Sequence, residues 1–268
     1  MFKDKHEQIF QYMKKNTSKE TDKVSFKSAL VDPRYRKGTY VAMTCALLLF
    51  ANGIFPFSTY GGRLFKKIYE NGDGTFTPRM TLNAIAIADP VSQLAGVFVV
   101  PLFPRKVLLV AAALLIGCLN ALVATFDITG SNLGVFIAVI GLVVLTSIIQ
   151  EPVSQLYMTE VSNNASLGLA HFTYFGLNIV LSLVLPFLVD LMGPQYLYYI
   201  FAGAQFSIMV VIMLFLKETA KLTDRDKKLL YVPEEYREEV SVTLSHIETG
   251  GHEGSFVADK SLSFHHIA

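Results

Sequence analysis

The chain has 268 residues, of which 52% are hydrophobic and 17% are charged, and its mean hydropathy is +0.43. These values exclude an ordinary soluble globular protein and are typical of a polytopic membrane protein. The net charge of +1 gives no indication of a nucleic-acid partner, and none is expected.

Six apolar stretches are long enough to cross a bilayer, which takes about 20 residues of helix. They are predicted at residues 38–60, 81–103, 105–126, 132–158, 168–191 and 195–216. The predicted organisation is a polar basic N-terminal tail over 1–37, a six-span membrane domain over 38–216 and a polar C-terminal tail with short helices over 217–268. Apolar residues between Phe2 and Met13 recur at helical spacing, which fits an interfacial helix or a solvated tail equally well.

The basic residues are distributed unevenly across the predicted topology. Of the 23 Lys and Arg residues, 19 lie in the two tails or in the Arg105–Lys106 turn, which share one side of a six-span protein. The positive-inside rule places that side, and therefore both termini, in the cytosol or in the matrix of a mitochondrion.

Polar residues interrupt several of the spans. Gly53 and Pro56 predict a kink in the first span, and Asp89 lies in the second. The fourth span ends in a polar stretch that begins Gln150-Glu151-Pro152. Because an ionised group is costly in hydrocarbon, Asp89 and Glu151 are predicted to be buried acids that face protein.

The sequence shows no combination of residues that would support catalysis. It has no Gly-rich phosphate loop and no metal-ligand spacing, so we expect neither an enzyme nor a metal site. No cofactor is expected, and bound lipids are the predicted small-molecule companions. Asp89 and Glu151 are compatible with a proton relay or cation site, although two acids satisfied by hydroxyls and amides are the simpler interpretation.

Short turns divide the spans into groups at 38–126 and 132–216, which favours nested three-helix repeats. Motifs of one family fall in the right order along these groups. They are Gly53-Ile54 with Tyr60 and Phe65, the Arg105–Lys106 pair, Glu151-Pro152-Val153-Ser154-Gln155 followed by Glu160, and Lys217-Glu218-Thr219-Ala220-Lys221. Over residues 36–232 the chain resembles the C-terminal half of a major facilitator superfamily sugar porter. The resemblance implies an all-α membrane protein whose six transmembrane helices form two three-helix repeats, half of a major facilitator fold.

The resemblance also implies roles for individual residues. If transport is retained, Tyr60 and Gln155 are the expected substrate-binding residues. Gly53, Arg105, Lys106 and Glu160 correspond to structural or gate-like positions.

Five substitutions depart from the family pattern. Leu49 and Phe55 replace a glutamine and an asparagine that bind sugar hydroxyls, and Gln155 replaces a tryptophan. Pro101 and Leu167 replace an acid and an arginine of the charge network that latches the inner face, so that latch is expected to be degraded.

These observations leave two hypotheses. The first is a non-transporting accessory subunit of a larger membrane complex, with the mitochondrial inner membrane as the favoured location. Other membrane subunits would then cover the polar face of the half-bundle and hold both tails. The second is a half-size sugar transporter that works as a homodimer or with a separate N-terminal half.

Overall fold

The computed structural model describes residues 24–71, 76–238 and 240–241. Within those residues the protein is helical, and six helices are long and apolar enough to cross a membrane. Spans 1 to 6 are Arg36–Ile68, Pro78–Leu102, Arg105–Ile128, Asn132–Val161, Asn164–Met192 and Pro194–Phe215. The predicted fold class is confirmed, whereas the candidate interfacial helix near the N-terminus lies outside the described residues.

Short helices flank the spans. Phe26–Val31 precedes span 1, and Asp224–Leu229 and the 3₁₀ turn Glu234–Tyr236 follow span 6. Side-chain oxygens cap the N-termini of three spans and so satisfy backbone N–H groups that have no partner within the helix. The caps are Thr77 on span 2, Ser131 on span 4 and Asn163 on span 5.

The packing of the spans follows a two-fold pattern that relates spans 1–3 to spans 4–6. Span 3 packs along its equivalent, span 6. Span 1 packs on span 5, and the equivalent contact is made by span 4 on span 2. Spans 2 and 5 are also equivalent in exposure, since only 17% of the apolar segment of each is buried, against 61% in span 1. This arrangement is compatible with the pair of three-helix repeats expected for half a major facilitator fold.

Span 1 is broken near its middle into the helices Arg36–Phe50 and Phe55–Ile68. At the break Gly53 has φ +78°, which favours glycine, and an added Cβ would lie 2.4 Å from the side-chain oxygen of Asn120. Pro56 has no N–H and leaves the carbonyl of Asn52 without its helical donor. Asn120 of span 3 supplies the replacement, donating from Nδ2 to Asn52 O at 3.1 Å.

A second carbonyl freed by the break is also satisfied by side chains. Leu48 O accepts hydrogen bonds from Gln150 Nε2 at 2.8 Å and from Gln205 Nε2 at 3.2 Å. Both glutamines are fully buried. Amides from spans 3, 4 and 6 therefore hold the break of span 1 in one conformation.

Span 4, the equivalent of span 1, is irregular at the same depth. It consists of the helix Asn132–Leu145, the π-turn Thr146–Gln150 and the helix Glu151–Val161. Pro152 cannot donate to the carbonyl of Ile148, and π-turns are often found where a helix is interrupted in this way. An added Cβ on Gly96 of span 2 would lie 2.7 Å from Ile148 O, so the two spans are in close contact at the turn.

Two apolar cores stabilise the two ends of the bundle. The proximal end carries the start of span 1, the turn between spans 2 and 3 and the end of span 6, and its core includes Tyr157 and Tyr231. The distal end carries the end of span 1 and the turn between spans 5 and 6. Its core includes Phe57, which stacks on Phe65 at 5.0 Å and on Tyr198 at 5.2 Å.

Candidate functional site

The break of span 1 and the π-turn of span 4 border a cavity of about 180 Å³ between spans 1, 2, 4 and 5. Three apolar residues line it, Leu49, Ile54 and Phe55. The polar lining is larger and comprises Asn52, Ser58, Asp89, Thr146, Ser147, Glu151, Gln155 and Tyr174. The irregular backbone therefore lies where it faces a polar cavity, as irregular backbone at membrane depth must.

Asp89 is joined to the π-turn. Ser147 Oγ donates to Asp89 Oδ1 at 2.5 Å, and Gln93 Nε2 donates to the same oxygen at 3.2 Å. Thr146, beside Ser147, is only 2% exposed, and its hydroxyl has no hydrogen-bond partner among the described residues. The cavity wall thus contains a buried hydroxyl that no described residue satisfies.

Glu151, Gln155 and Tyr174 reach the outside of the bundle beside Asp89, and this surface between spans 2 and 5 is called the open face below. His171 of span 5 contacts Gln155 Oε1 through Nε2 at 3.1 Å and fixes the orientation of that amide. Glu151 is exposed in the single chain, so its predicted burial against protein depends on a covering partner.

Tyr60, predicted to bind substrate, does not line the cavity. Its hydroxyl donates to Ser182 O of span 5 at 3.0 Å, and its backbone (φ −127°, ψ 20°) departs from the helix. Nearby, Arg63 contacts Asp190 at 2.7 Å and Lys67 donates to Val189 O at 2.6 Å. The second helix of span 1, Phe55–Ile68, is therefore linked to span 5 by polar contacts at the distal end. Gln155 does line the cavity, and substrate binding by either residue stays a prediction.

An ion-pair network lies at the proximal end around Glu160, which is 9% exposed. Lys227 Nζ lies 3.0 Å from Glu160 Oε1, Arg105 lies 3.9 Å from the same oxygen, and Thr219 Oγ1 donates to Oε2 at 2.6 Å. The hydrogen bond to Glu160 raises the pKa of Lys227 above its ordinary value. The expectation of a degraded latch stays a prediction, and the structure adds Lys227, from beyond span 6, as a second cation beside Glu160.

Glu218 joins the end of span 6 to the start of span 3. Its carboxylate accepts from the backbone N–H groups of Arg105 at 2.9 Å and Lys106 at 3.0 Å, at the positive end of a helix dipole. Lys106 in turn donates from Nζ to Met213 O of span 6 at 2.9 Å. The Arg105–Lys106 pair thus holds spans 3, 4 and 6 together at the proximal end.

The segment after span 6 is fixed to span 4 by further contacts. Tyr157 OH donates to Lys217 O at 2.7 Å and lies 2.6 Å from Tyr231 OH. Lys228 Nζ donates to Thr159 O at 2.8 Å, at the end of span 4, and burial lowers the pKa of this lysine. This part of the C-terminal tail is therefore held by the chain's own spans.

The structure separates the predicted residues into four places. Asp89, Glu151 and Gln155 line the cavity, Tyr60 lies at the distal contacts, and Arg105, Lys106 and Glu160 meet at the proximal network; Gly53 forms the break. Sequence reasoning missed Lys227, Thr146, Ser147 and His171 as functional residues. The partners of Lys227, Ser147 and His171 lie on other spans, so no local sequence signal identified these residues. Glu218, which also contacts another span, lies inside a recognised motif.

A six-span membrane bundle with paired helix breaks, a polar cavity at those breaks and charged contacts at both ends defines the class: half of a major facilitator transporter fold. Comparison with known families identifies the particular family. The sugar (and other) transporter family matches residues 2–226, and the chain belongs to it. The predicted membership is confirmed. None of the curated proteins compared matches the chain.

Proposed function

We propose that the six-span bundle is one half of a transporter that binds a small polar solute, with sugars as the first class to test. The observation that carries this proposal is the position of the cavity. It lies at the two helix breaks, where backbone and side-chain polar groups converge at the depth at which transporters of this architecture bind solute.

The contacts at the two ends are suited to alternating access. The distal contacts join the Phe55–Ile68 half of span 1 to span 5, and the break at Gly53 separates that half from the rest of span 1. The proximal network joins spans 3, 4 and 6 through a few ion pairs. Discrete polar contacts of this kind can separate and reform as rigid groups of helices move.

The open face requires a partner. A carboxylate at the centre of a bilayer costs about 2.5–3.5 kcal/mol, and Glu151 is exposed there in the single chain. A second six-span bundle placed against spans 2 and 5 would cover that carboxylate and close the cavity. In this arrangement the proximal end faces the cytosol or matrix, following its Lys and Arg content, and lipids cover the remaining apolar surface.

A second candidate function is a non-transporting accessory subunit, as first predicted, in a complex such as one of the mitochondrial inner membrane. The contacts of Tyr157, Tyr231 and Lys228 favour it, because they fix the segment after span 6 across the proximal end. A permanently fixed segment suits a structural subunit that does not change conformation.

The experiment is purification in mild detergent, followed by native mass, identification of associated chains and sugar uptake by reconstituted vesicles. A particle with two six-span bundles, which is near twice 29.7 kDa if two copies associate, together with uptake supports the transporter. An assembly of many unlike chains without uptake supports the accessory subunit. Two bundles that bind and transport no small solute would refute the transporter proposal.

A further inference from the structure

The side chains that line the cavity carry a net negative charge when both acids are ionised. Asp89 and Glu151 both line it, and among the described lining residues there is no Lys, Arg or His. Neither acid forms an ion pair with any residue in the part of the chain that the structure describes. Two ionised carboxylates closed off from water by a second bundle would be stabilised by a compensating positive charge.

One carboxylate oxygen of Asp89 has no hydrogen-bond donor among the described residues and could face that positive charge. Ser147 and Gln93 both donate to Oδ1, and Oδ2 accepts from none of the described residues. Thr146 adds an independent observation, since the residue is 98% buried and lines the cavity, and its hydroxyl has no partner among the described residues. A carboxylate oxygen and a buried hydroxyl oxygen are therefore free to accept hydrogen bonds from a ligand.

The remaining lining distinguishes an organic cation from a bare metal ion. Phe55 and Tyr174 line the same cavity, and aromatic faces attract organic ammonium groups through cation–π interactions. Within the described residues no group of three or more acidic, His or Cys side chains converges, so the lining lacks the ligand set of a zinc or other transition-metal site. Paired carboxylates beside aromatic rings are the lining that an ammonium group requires.

We propose that this cavity selects solutes that carry an organic ammonium group, with Asp89 and Glu151 as its counter-ions and Thr146 as an acceptor for a hydroxyl or other donor group of the same solute. The inference rests on the proposed function, because it names the chemical class of the solute that the same cavity binds.

The test measures dissociation constants for four probes on the full-length protein purified with its associated chains. The probes are choline, its uncharged carbon isostere dimethylbutanol, glucose and sodium chloride. Choline keeps its charge at every pH, so differences between choline and its isostere report the charge alone. The variants Asp89→Asn and Glu151→Gln remove one charge each without changing side-chain size, and Glu238→Gln, an exposed acid outside the cavity, is the control. Melting curves of all variants confirm that each is folded.

The expected result is that choline binds at least about tenfold more tightly than its isostere, and that either cavity variant weakens choline about tenfold while the control does not. Glucose binding with no effect of the cavity variants would overturn the inference and leave the proposed function intact. If sodium bound in a way that depended on Asp89 and Glu151, and choline did not bind, the inference would also be overturned. If the folded protein bound none of the probes, both proposals would fail.

Discussion

The proximal network gives the sharpest test of how this bundle is held together. Replacing Lys227 by methionine removes the cation that lies 3.0 Å from Glu160 and keeps the apolar stem of the side chain. A hydrogen bond to a charged group contributes about 1.5–3 kcal/mol. The full 3–5 kcal/mol of an uncompensated buried charge does not apply, because Thr219 still donates to Glu160 and Arg105 remains 3.9 Å away. We expect a loss of about 2 kcal/mol, which is about 4–8 °C in melting temperature for a chain of this length.

The assay is thermal unfolding of the purified protein at neutral pH, with Lys221→Met, an exposed lysine, as the matched control. Because the pKa of Lys227 is raised in the folded state, its stabilising contribution is complete below the ordinary lysine value of 10.5 and disappears only as the pH rises through the raised value. In a double-mutant cycle, Glu160→Gln should remove most of the effect of Lys227→Met. If Lys227→Met cost no more than the control, the assignment of Lys227 as a cation that stabilises Glu160 would be wrong.

Two further predictions concern the break of span 1. Gly53→Ala forces a side chain into a positive-φ conformation, with its Cβ 2.4 Å from a neighbouring oxygen, and should cost about 2–3 kcal/mol of unfolding free energy. Gly62→Ala is the control: an added Cβ there meets nothing within 4 Å, so the variant should be neutral in the same unfolding assay. Equal melting temperatures for the two variants would rule out a strained break. Gln150→Leu and Gln205→Leu should each cost about 1 kcal/mol, because the other glutamine still serves the shared carbonyl, and the double variant should cost clearly more than the sum. Additive unfolding energies would show that the two amides act independently.

The fold was predictable because the signal for a span is local. An apolar run of about 20 residues is visible without knowledge of its neighbours, and five of the six spans begin and end within a few residues of the predicted positions. The exception is span 1, which extends to Ile68 instead of ending near Tyr60. Its last turns carry Arg63 and Lys67, whose charges are paired with Asp190 of span 5, and that contact could not be read from local polarity.

The site was predictable only in part, since its contacts join distant parts of the chain. Asp89 and Glu151 were identified because a carboxylate inside an apolar run is conspicuous. The same reasoning gave no indication that Ser147 donates to Asp89, or that Lys227 pairs with Glu160, because each contact is between residues more than 50 positions apart. A motif comparison records that a residue is missing, but only the packed structure shows whether another residue compensates for it.

The geometry of the break bears on the choice between a transporter and a structural subunit. An unbroken span 1 would satisfy its own carbonyls, whereas this span needs Asn120, Gln150 and Gln205, all fully buried, to satisfy two of them. Each backbone hydrogen bond lost at such a break is worth about 0.5–1.5 kcal/mol, and the break persists where surrounding side chains replace those bonds. A structural subunit gains nothing from that cost. A solute-binding protein gains a binding surface, because the break brings Asn52, Phe55 and the start of a helix to the wall of the cavity.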